Sequence, residues 1–479
     1  MSHKIINIKK IKYKMGNEVD NVNQANTEKA TYDKTVSNMK IGVCEMQGWR
    51  RTMEDAAIVL PNFEKNTSLF GILDGHGGSI ISEFVSVNFK NILVRTDSYK
   101  NGNYEKALTE TFLIMDELLK NKKINNFIYT THNSKEKPKE KEPAKNQTVN
   151  NGNENIVKLR FETGIYEFDL NKIDLSIGSE DMSTNIYEYK NKTATSPTNE
   201  QSDAIIFDNI FFAKGGKQNA SLNTLPQFEE VYNKTKYDIN FTKKEDNLQE
   251  LQIKNPNSSK LSLDNFVANE MGTTANIMLI KNGIIYIANV GDSLSVMYKN
   301  KKAYNLNREH QVIIEDEKER VLKSGANIVG YRINGMINLT RAIGDLKFKT
   351  NYNLKRHEQS VIALPEITKI EYSEDIEFII MGCDGVWDCV KRQFICDFVH
   401  KKIKENPDKD LSEILKVIFD RCVSPVWGVV LGTDNMSCII IQFLNNGKNG
   451  GNADDIIIKK VNINQGIVEN VEKENIIKN

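Results

Sequence analysis

From about Asn121 to Leu263 the chain is dense in Asn, Lys, Glu and Thr, with runs such as Lys135-Glu-Lys-Pro-Lys-Glu-Lys-Glu-Pro143. Low-complexity sequence of this kind cannot bury enough apolar surface to offset the entropy of ordering it. The apolar patterning lies on either side, at 39–120 and 265–445, and together these stretches have the size of one large domain. A fold built from them must close on itself across the interruption. That is tolerable, because closure entropy grows only with the logarithm of loop length. Two islands inside it, Leu159–Leu170 and Ala204–Ala213, are apolar enough to dock on the body as strands.

Ahead of the interruption, Ile41–Met46, Ala56–Leu60 and Leu69–Leu73 read as strands, the first two flanking a polar turn at Gly48–Asp55. Ser79–Asn91 and Tyr104–Lys120 have helical spacing, with Ala107, Leu108, Phe112, Met115 and Leu119 on one face. Beyond it, Thr273–Ile280 and Ile284–Val290 are joined by Lys281-Asn282-Gly283, a strong hairpin signal. Ser293–Tyr298, Phe378–Cys383 and Met436–Phe443 add strands, and Ile328–Ile333 and Met336–Thr340 flank a second Asn-Gly at Asn334-Gly335. Helices are expected over Glu315–Ser324, Arg392–Lys404 and Leu411–Cys422. Hairpin-linked strands with interleaved helices point to antiparallel sheets covered by helices, not a βαβ repeat. Residues 1–38 read as a disordered or loosely docked arm, and 446–479 as a polar tail. Ile5, Ile8 and Ile11 among the arm's lysines fit a solvated tail better than a membrane-surface helix.

Lys plus Arg equals Asp plus Glu at 64 each, so nothing global asks for nucleic acid or an anionic membrane. Six scattered cysteines without a C-x-x-C pair suit a reducing compartment, cytoplasm or nucleus. No secretory signal is visible, position 2 is Ser2 rather than a myristoylation glycine, and the longest apolar runs fall short of a membrane span.

The chemistry concentrates where strands end. Leu73-Asp74-Gly75 and Cys383-Asp384-Gly385 follow apolar runs, Asp434 precedes the last one, and Asp292 sits in Val290-Gly291-Asp292. Glu54 and Asp55 stand close after Arg50 and Arg51. Any one Asp-Gly makes an ordinary turn. Several such aspartates, with no histidine or cysteine cluster, suit Mg²⁺ or Mn²⁺ rather than zinc.

The residues resemble the metal-dependent serine/threonine protein phosphatases of type 2C. The resemblance is carried by Met46-Gln-Gly-Trp-Arg-Arg-Thr-Met-Glu-Asp55, Asp74-Gly-His-Gly-Gly78, Met271-Gly-Thr-Thr274 and Asn289-Val-Gly-Asp-Ser293. Leu339-Thr-Arg-Ala-Ile-Gly-Asp345, Cys383-Asp-Gly-Val-Trp-Asp388 and Thr433-Asp-Asn-Met-Ser437 continue it in the family's order. It implies an α+β fold, a central β-sandwich of two mainly antiparallel sheets flanked by helices. It also implies two Mn²⁺ or Mg²⁺ ions, with Asp74 bridging both, the Gly75 carbonyl on one, and Asp384 and Asp434 on the other. Glu54 and Asp55 would act through metal-bound waters, and Asp292 with Asp388 would form a weaker third site. Arg50 would hold the phosphate, His76 would protonate the leaving oxygen, and metal-bound hydroxide would attack phosphorus in line. Substrates would be phosphorylated proteins, and the enzyme a monomer.

The chain departs from the family pattern at Leu294, where arginine is usual, and at Glu309-His310-Gln311, which lacks the usual proline. Arg341 is open to either a structural or a site role. Three rival readings remain at this point. Cys44-Glu-Met-Gln-Gly-Trp-Arg50 fits the C-x5-R spacing of cysteine-dependent phosphatases. The protein could instead be an inactive member binding partners through 121–263, or act on a non-protein phosphomonoester.

Overall fold

A computed structural model describes residues 24–36, 38–121, 124, 156–161, 164–169, 186–188, 267–426 and 431–444. The chain divides into two compact units, Met1–Tyr189 with Leu263–Asn479, and Lys190–Ser262. Every described residue belongs to the first. The expected island Ala204–Ala213, the isoleucines near the start and the tail 446–479 lie outside the described residues.

Strands β1 (Asn26–Val36), β2 (Met39–Gly48), β3 (Ala56–Glu64), β4 (Thr67–Leu73) and the two-residue β5 (Gly75–His76) come first. Helices α1 (Ile80–Leu93), α2 (Asp97–Lys100) and α3 (Tyr104–Leu119) follow. Within the expected interruption lie β6 (Ile156–Phe161), β7 (Gly164–Asp169) and β8 (Ile186–Glu188). Then come α4 (Val267–Glu270), β9 (Gly272–Thr273), β10 (Ala275–Lys281), β11 (Ile284–Val290), β12 (Leu294–Lys299), β13 (Lys302–Asn305) and α5 (Glu315–Lys323). Short β14 (Ile328–Val329), β15 (Arg332–Ile333) and β16 (Ile343–Gly344) lead to β17 (Glu366–Glu371) and β18 (Ile376–Gly382). The chain closes with α6 (Asp384–Trp387), α7 (Arg392–Glu405), α8 (Leu411–Cys422) and β19 (Met436–Phe443).

Two six-stranded sheets form, in the orders β1-β2-β19-β18-β12-β13 and β3-β4-β10-β11-β17-β8. Neighbours pair antiparallel throughout, except that β8 adds to the edge strand β17 in parallel. β4 packs against β18 and β19 across the sandwich. All seven positions of β4 are buried, which explains a continuous apolar run instead of an alternating one. Leu69 and Leu73 join Phe84, Val85 and Phe89 of α1 and Leu108 and Phe112 of α3 in one cluster. Phe70 and Ile72, on the alternate face, are fully buried toward the other sheet. Each such side chain contributes about 1.5–3 kcal/mol relative to exposure. On the far side, α8 covers β2, β1 and β19. This is the α+β sandwich that the resemblance implied.

Asn282 and Gly283 both take positive φ, 52° and 79°, so the β10–β11 hairpin turns as its sequence predicts. Two expectations are corrected. Order does not start near Met39: Asn26–Val36 pairs with β2 along the sheet edge, because backbone hydrogen bonding holds a polar edge strand that hydropathy does not reveal. Nor is Ile328–Ile333 one strand. Gly330 and Tyr331 take φ of 58° and 59° and fold it into the β14–β15 hairpin. In the expected island Leu159–Leu170, the described residues belong to β6 and β7, which pair antiparallel. Among the described residues, no helix is long and apolar enough to cross a membrane.

Candidate active site

Strand register gathers the aspartates at one end of the sandwich. Leu294 lies opposite Gly382, and Gly382 opposite Cys438, so β12, β18 and β19 share a level. Asp292 precedes β12, Asp384 opens α6 directly after β18, and Asp434 precedes β19. Met46 faces Met436, so the Gly48–Asp55 turn leaves β2 at this same end. Asn435 straps that turn down: its Nδ2 donates to Gln47 O at 2.7 Å and Thr52 O at 3.0 Å, and its Oδ1 accepts from Glu54 N at 2.9 Å.

A three-stranded ribbon, β16-β9-β5, supplies the rest. Gly75 faces Thr273 and His76 faces Gly272, while Ile343 and Gly344 flank the other edge of β9. Three motifs far apart in sequence are thereby joined edge to edge. Asp74, just past β4, spends its backbone on the Met271–Thr274 motif. Its N donates to Thr274 Oγ1 at 3.1 Å, and its O accepts from Thr274 N at 2.9 Å and Thr273 Oγ1 at 3.1 Å.

The carboxylates raise one another's pKa values. Asp74 is held well above the usual range, first by burial and then by Asp55, Asp384, Asp292 and Asp434. Burial pushes Asp55 up to about 8, and the neighbouring carboxylates of Asp434 and Asp384 reinforce the rise. Asp292 rises to about 7, through burial and then Asp384, although Gln311 Nε2 donates to its Oδ2 at 3.1 Å. Asp384 rises to about 6, through burial, Asp434 and Asp388. Asp388, exposed at the rim, is raised by desolvation of its carboxyl and by Asp292 and Glu309. Asp55 Oδ2 and Asp384 Oδ1 are buried with no hydrogen-bond partner. Such a group is unstable when fully ionised, and hard divalent cations satisfy it through oxygen alone. Cys383 lies among these carboxylates, but its Sγ donates to Asn435 O and accepts from Ser437 N, and burial keeps the thiol protonated.

At the rim, Arg50 Nη2 donates to Asp434 Oδ2 at 2.5 Å. Glu54 Oε2 accepts from Gly78 N at 2.9 Å, and its Oε1 from Thr52 Oγ1 at 2.6 Å. His76 Nε2 lies 2.7 Å from Asp345 Oδ2. Burial lowers the imidazole's pKa, but Asp345, Asp292 and Glu54 outweigh it and the net shift is upward.

The protein phosphatase 2C family model matches residues 39–136 and 174–426. The chain belongs to this family. Similar proteins include probable protein phosphatase 2C 21 of Arabidopsis thaliana, 28% identical over 87% of this chain and 90% of that protein. Another is probable protein phosphatase 2C 58 of Oryza sativa subsp. japonica, 29% identical over 87% of each. Among solved structures, a phosphatase from Toxoplasma gondii is 14% identical, covering 87% of this chain and 96% of its own, with a TM-score of 0.48. As a type 2C member, the chain is a protein serine/threonine phosphatase, a hydrolase acting on phosphorylated proteins.

Within this phosphatase 2C fold, the C-x5-R rival loses its nucleophile. Cys44 is fully buried in β2, and burial pushes its thiol up to about 12, so no thiolate forms. Arg341 belongs to a buried ion network. Its guanidinium, with Arg308 and Arg320, answers Glu317 and Glu366. Fully buried His310 faces Glu366 at 3.3 Å through Nε2 and accepts from Gly291 N at 3.2 Å through Nδ1, so it braces the turn carrying Asp292. Leu294 is buried in β12. The quoted motifs contain Asp345, Asn435, Thr273 and Thr274, but spacing alone gives these residues no role. Their partners lie hundreds of positions away.

Proposed function

We propose that this phosphatase hydrolyses phosphoserine and phosphothreonine by in-line attack of water at phosphorus, without a phosphoenzyme, at two Mn²⁺ or Mg²⁺ ions. The observation that carries the reading is the group of mutually destabilised aspartates, buried or half-buried, in which Asp55 and Asp384 each have an orphaned oxygen. Asp74 and the Gly75 carbonyl would hold one ion, and Asp74, Asp384 and Asp434 the other. Glu54 and Asp55 stand where they would order surrounding water, and Asp292 with Asp388 would hold a weaker third ion. When bound, such ions stabilise charge on the phosphoryl oxygens and lower the pKa of water.

The chain's own groups do the rest. Arg50, exposed beside Asp434, presents a planar fork that suits a phosphate. His76 would give a proton to the departing seryl or threonyl oxygen. The folded body would run from β1 at Asn26 to β19 at Phe443, interrupted at 121–263 and followed by a tail at 446–479. It would act as a monomer in the cytoplasm or nucleus. The rival of an inactive binding module has little support, since Asp74, Asp384 and Asp434 are all present. The test is hydrolysis of a phosphoserine peptide with Mn²⁺, with and without chelator, by the wild type and Asp74→Asn. Activity should vanish in chelator and in the variant. Persistence in either would rule out the mechanism.

A further inference from the structure

Behind His76 stands a carboxylate to which the reading above gives no task. Asp345 is buried, with 3% of its side chain exposed, whereas 30% of the His76 side chain remains open. One edge of the imidazole is therefore fastened to the protein and the other faces outward. We propose that Asp345 is a positioning residue for His76. Its carboxylate accepts the Nε2 proton and fixes the ring so that the Nδ1 proton goes to the leaving oxygen. This rests on the assignment of His76 as general acid. The step balances: the phosphorus–oxygen bond breaks, the alkoxide oxygen leaves with the electron pair and takes the Nδ1 proton. The neutral ring keeps its Nε2 proton on Asp345.

The surroundings hold this pair in one arrangement. Asp345 sits in the left-handed region (φ 51°, ψ 41°), which costs a non-glycine residue energy unless neighbours impose it. Its N donates to Met271 O at 3.0 Å, and its O accepts from Phe348 N at 3.0 Å. Asp116 Oδ1 on α3 accepts from Gly344 N at 2.9 Å and from Lys349 Nζ at 2.6 Å, and Lys349 Nζ also donates to Ala342 O at 2.8 Å. Residues 342–349 are thus pinned from behind by a buried ion pair. Gly272 lies directly under the His76–Asp345 contact. A Cβ there would run into both the Asp345 carboxylate and His76 Nε2. The absence of that atom lets the two side chains meet.

A proton donor matters most when the leaving oxygen is a poor leaving group. The test therefore compares kcat on a phosphoserine peptide with kcat on p-nitrophenyl phosphate, whose leaving group needs no proton. Asp345→Asn keeps the shape and tolerates the left-handed backbone. It should lower kcat on the peptide about 10- to 100-fold, while KM and the nitrophenyl rate stay within about threefold. Gly272→Ala, which wedges the pair apart, should show the same selectivity, and His76→Asn combined with Asp345→Asn should be no worse than His76→Asn alone. Equal losses on both substrates in Asp345→Asn would make Asp345 structural and overturn the proposal. A His76→Asn enzyme that loses both rates equally would instead overturn the general-acid reading itself.

Discussion

Arg50 donates to the carboxylate of Asp434 across 2.5 Å, tying the turn after β2 to the residue two positions before β19. Both side chains are partly exposed, so the pair adds little to stability. Its consequence is placement: a planar donor is parked at the edge of the carboxylate group. Arg50→Ala should lower kcat/KM on a phosphopeptide about 10- to 100-fold, mainly through KM, because a charge-assisted contact to phosphate is lost. Arg50→Lys should recover only part, having no fork. Melting temperature should barely move in either variant. A large drop in stability with unchanged KM would give Arg50 a purely structural role.

Most of the frame was legible because hydrophobic period follows directly from strand and helix geometry. Met436–Phe443 and the Asn282-Gly283 turn are examples. The acids at strand ends could be read for the same reason, since Asp74 and Asp384 follow apolar runs and Asp434 precedes one. β1 could not be read, because Asn26–Val36 is polar and held by backbone pairing to β2. The roles of Asp345 and Asn435 could not be read either. They depend on which distant groups face their side chains, the His76 ring for Asp345 and the Gln47 carbonyl for Asn435, and that is set by sheet register, not by local pattern.

Gly385 offers a packing test beside Asp384. A Cβ there would collide with the backbone carbonyl of Asn435 and touch Asp434. Neither neighbour is the flexible end of a side chain, so the backbone must shift. Gly385→Ala should cost about 1–3 kcal/mol and depress activity by displacing Asp434. Calorimetry and a phosphopeptide assay would check both effects together. A variant of wild-type stability and rate would mean that the α6–β19 contact is looser than the geometry requires.

Ion binding should register as stability before any turnover is measured. In ion-free protein, Asp55, Asp292 and Asp384 hold protons to about 8, 7 and 6, while the unfolded chain releases them near 4. The folded state binds more protons in that window, so this contribution to stability falls as pH rises through it. Mn²⁺ takes the protons' place. The rise in melting temperature on adding Mn²⁺ to chelated protein should therefore be larger at pH 7.5 than at pH 5, and smaller in Asp74→Asn. An increment independent of both pH and Asp74 would assign the ions to another site.

His310 gives the opposite slope. It is fully buried, with Arg308, Arg341, Glu317 and Glu366 around it and Asn289 Nδ2 3.5 Å from Nδ1. Burial, then Arg341, lowers its pKa to about 4, below the usual 6.5. The unfolded chain binds the proton first, so stability is full above 6.5 and declines as pH falls toward 4. The slope approaches about 1.4 kcal/mol per pH unit for one proton. Glu366, held at about 2, acts at lower pH, its stabilisation being full above about 4.5 and lost only as pH falls toward 2. Denaturant unfolding between pH 7.5 and 5, with chelator throughout, carries the opposite slope of the aspartates in both proteins, so the stability lead of wild type over His310→Gln should shrink as pH falls. That variant should also be less stable at pH 7.5, since the Gly291 turn loses its brace. Parallel profiles for the two proteins would mean that the imidazole takes up its proton in the fold as readily as in the unfolded chain, and would overturn the account of its burial.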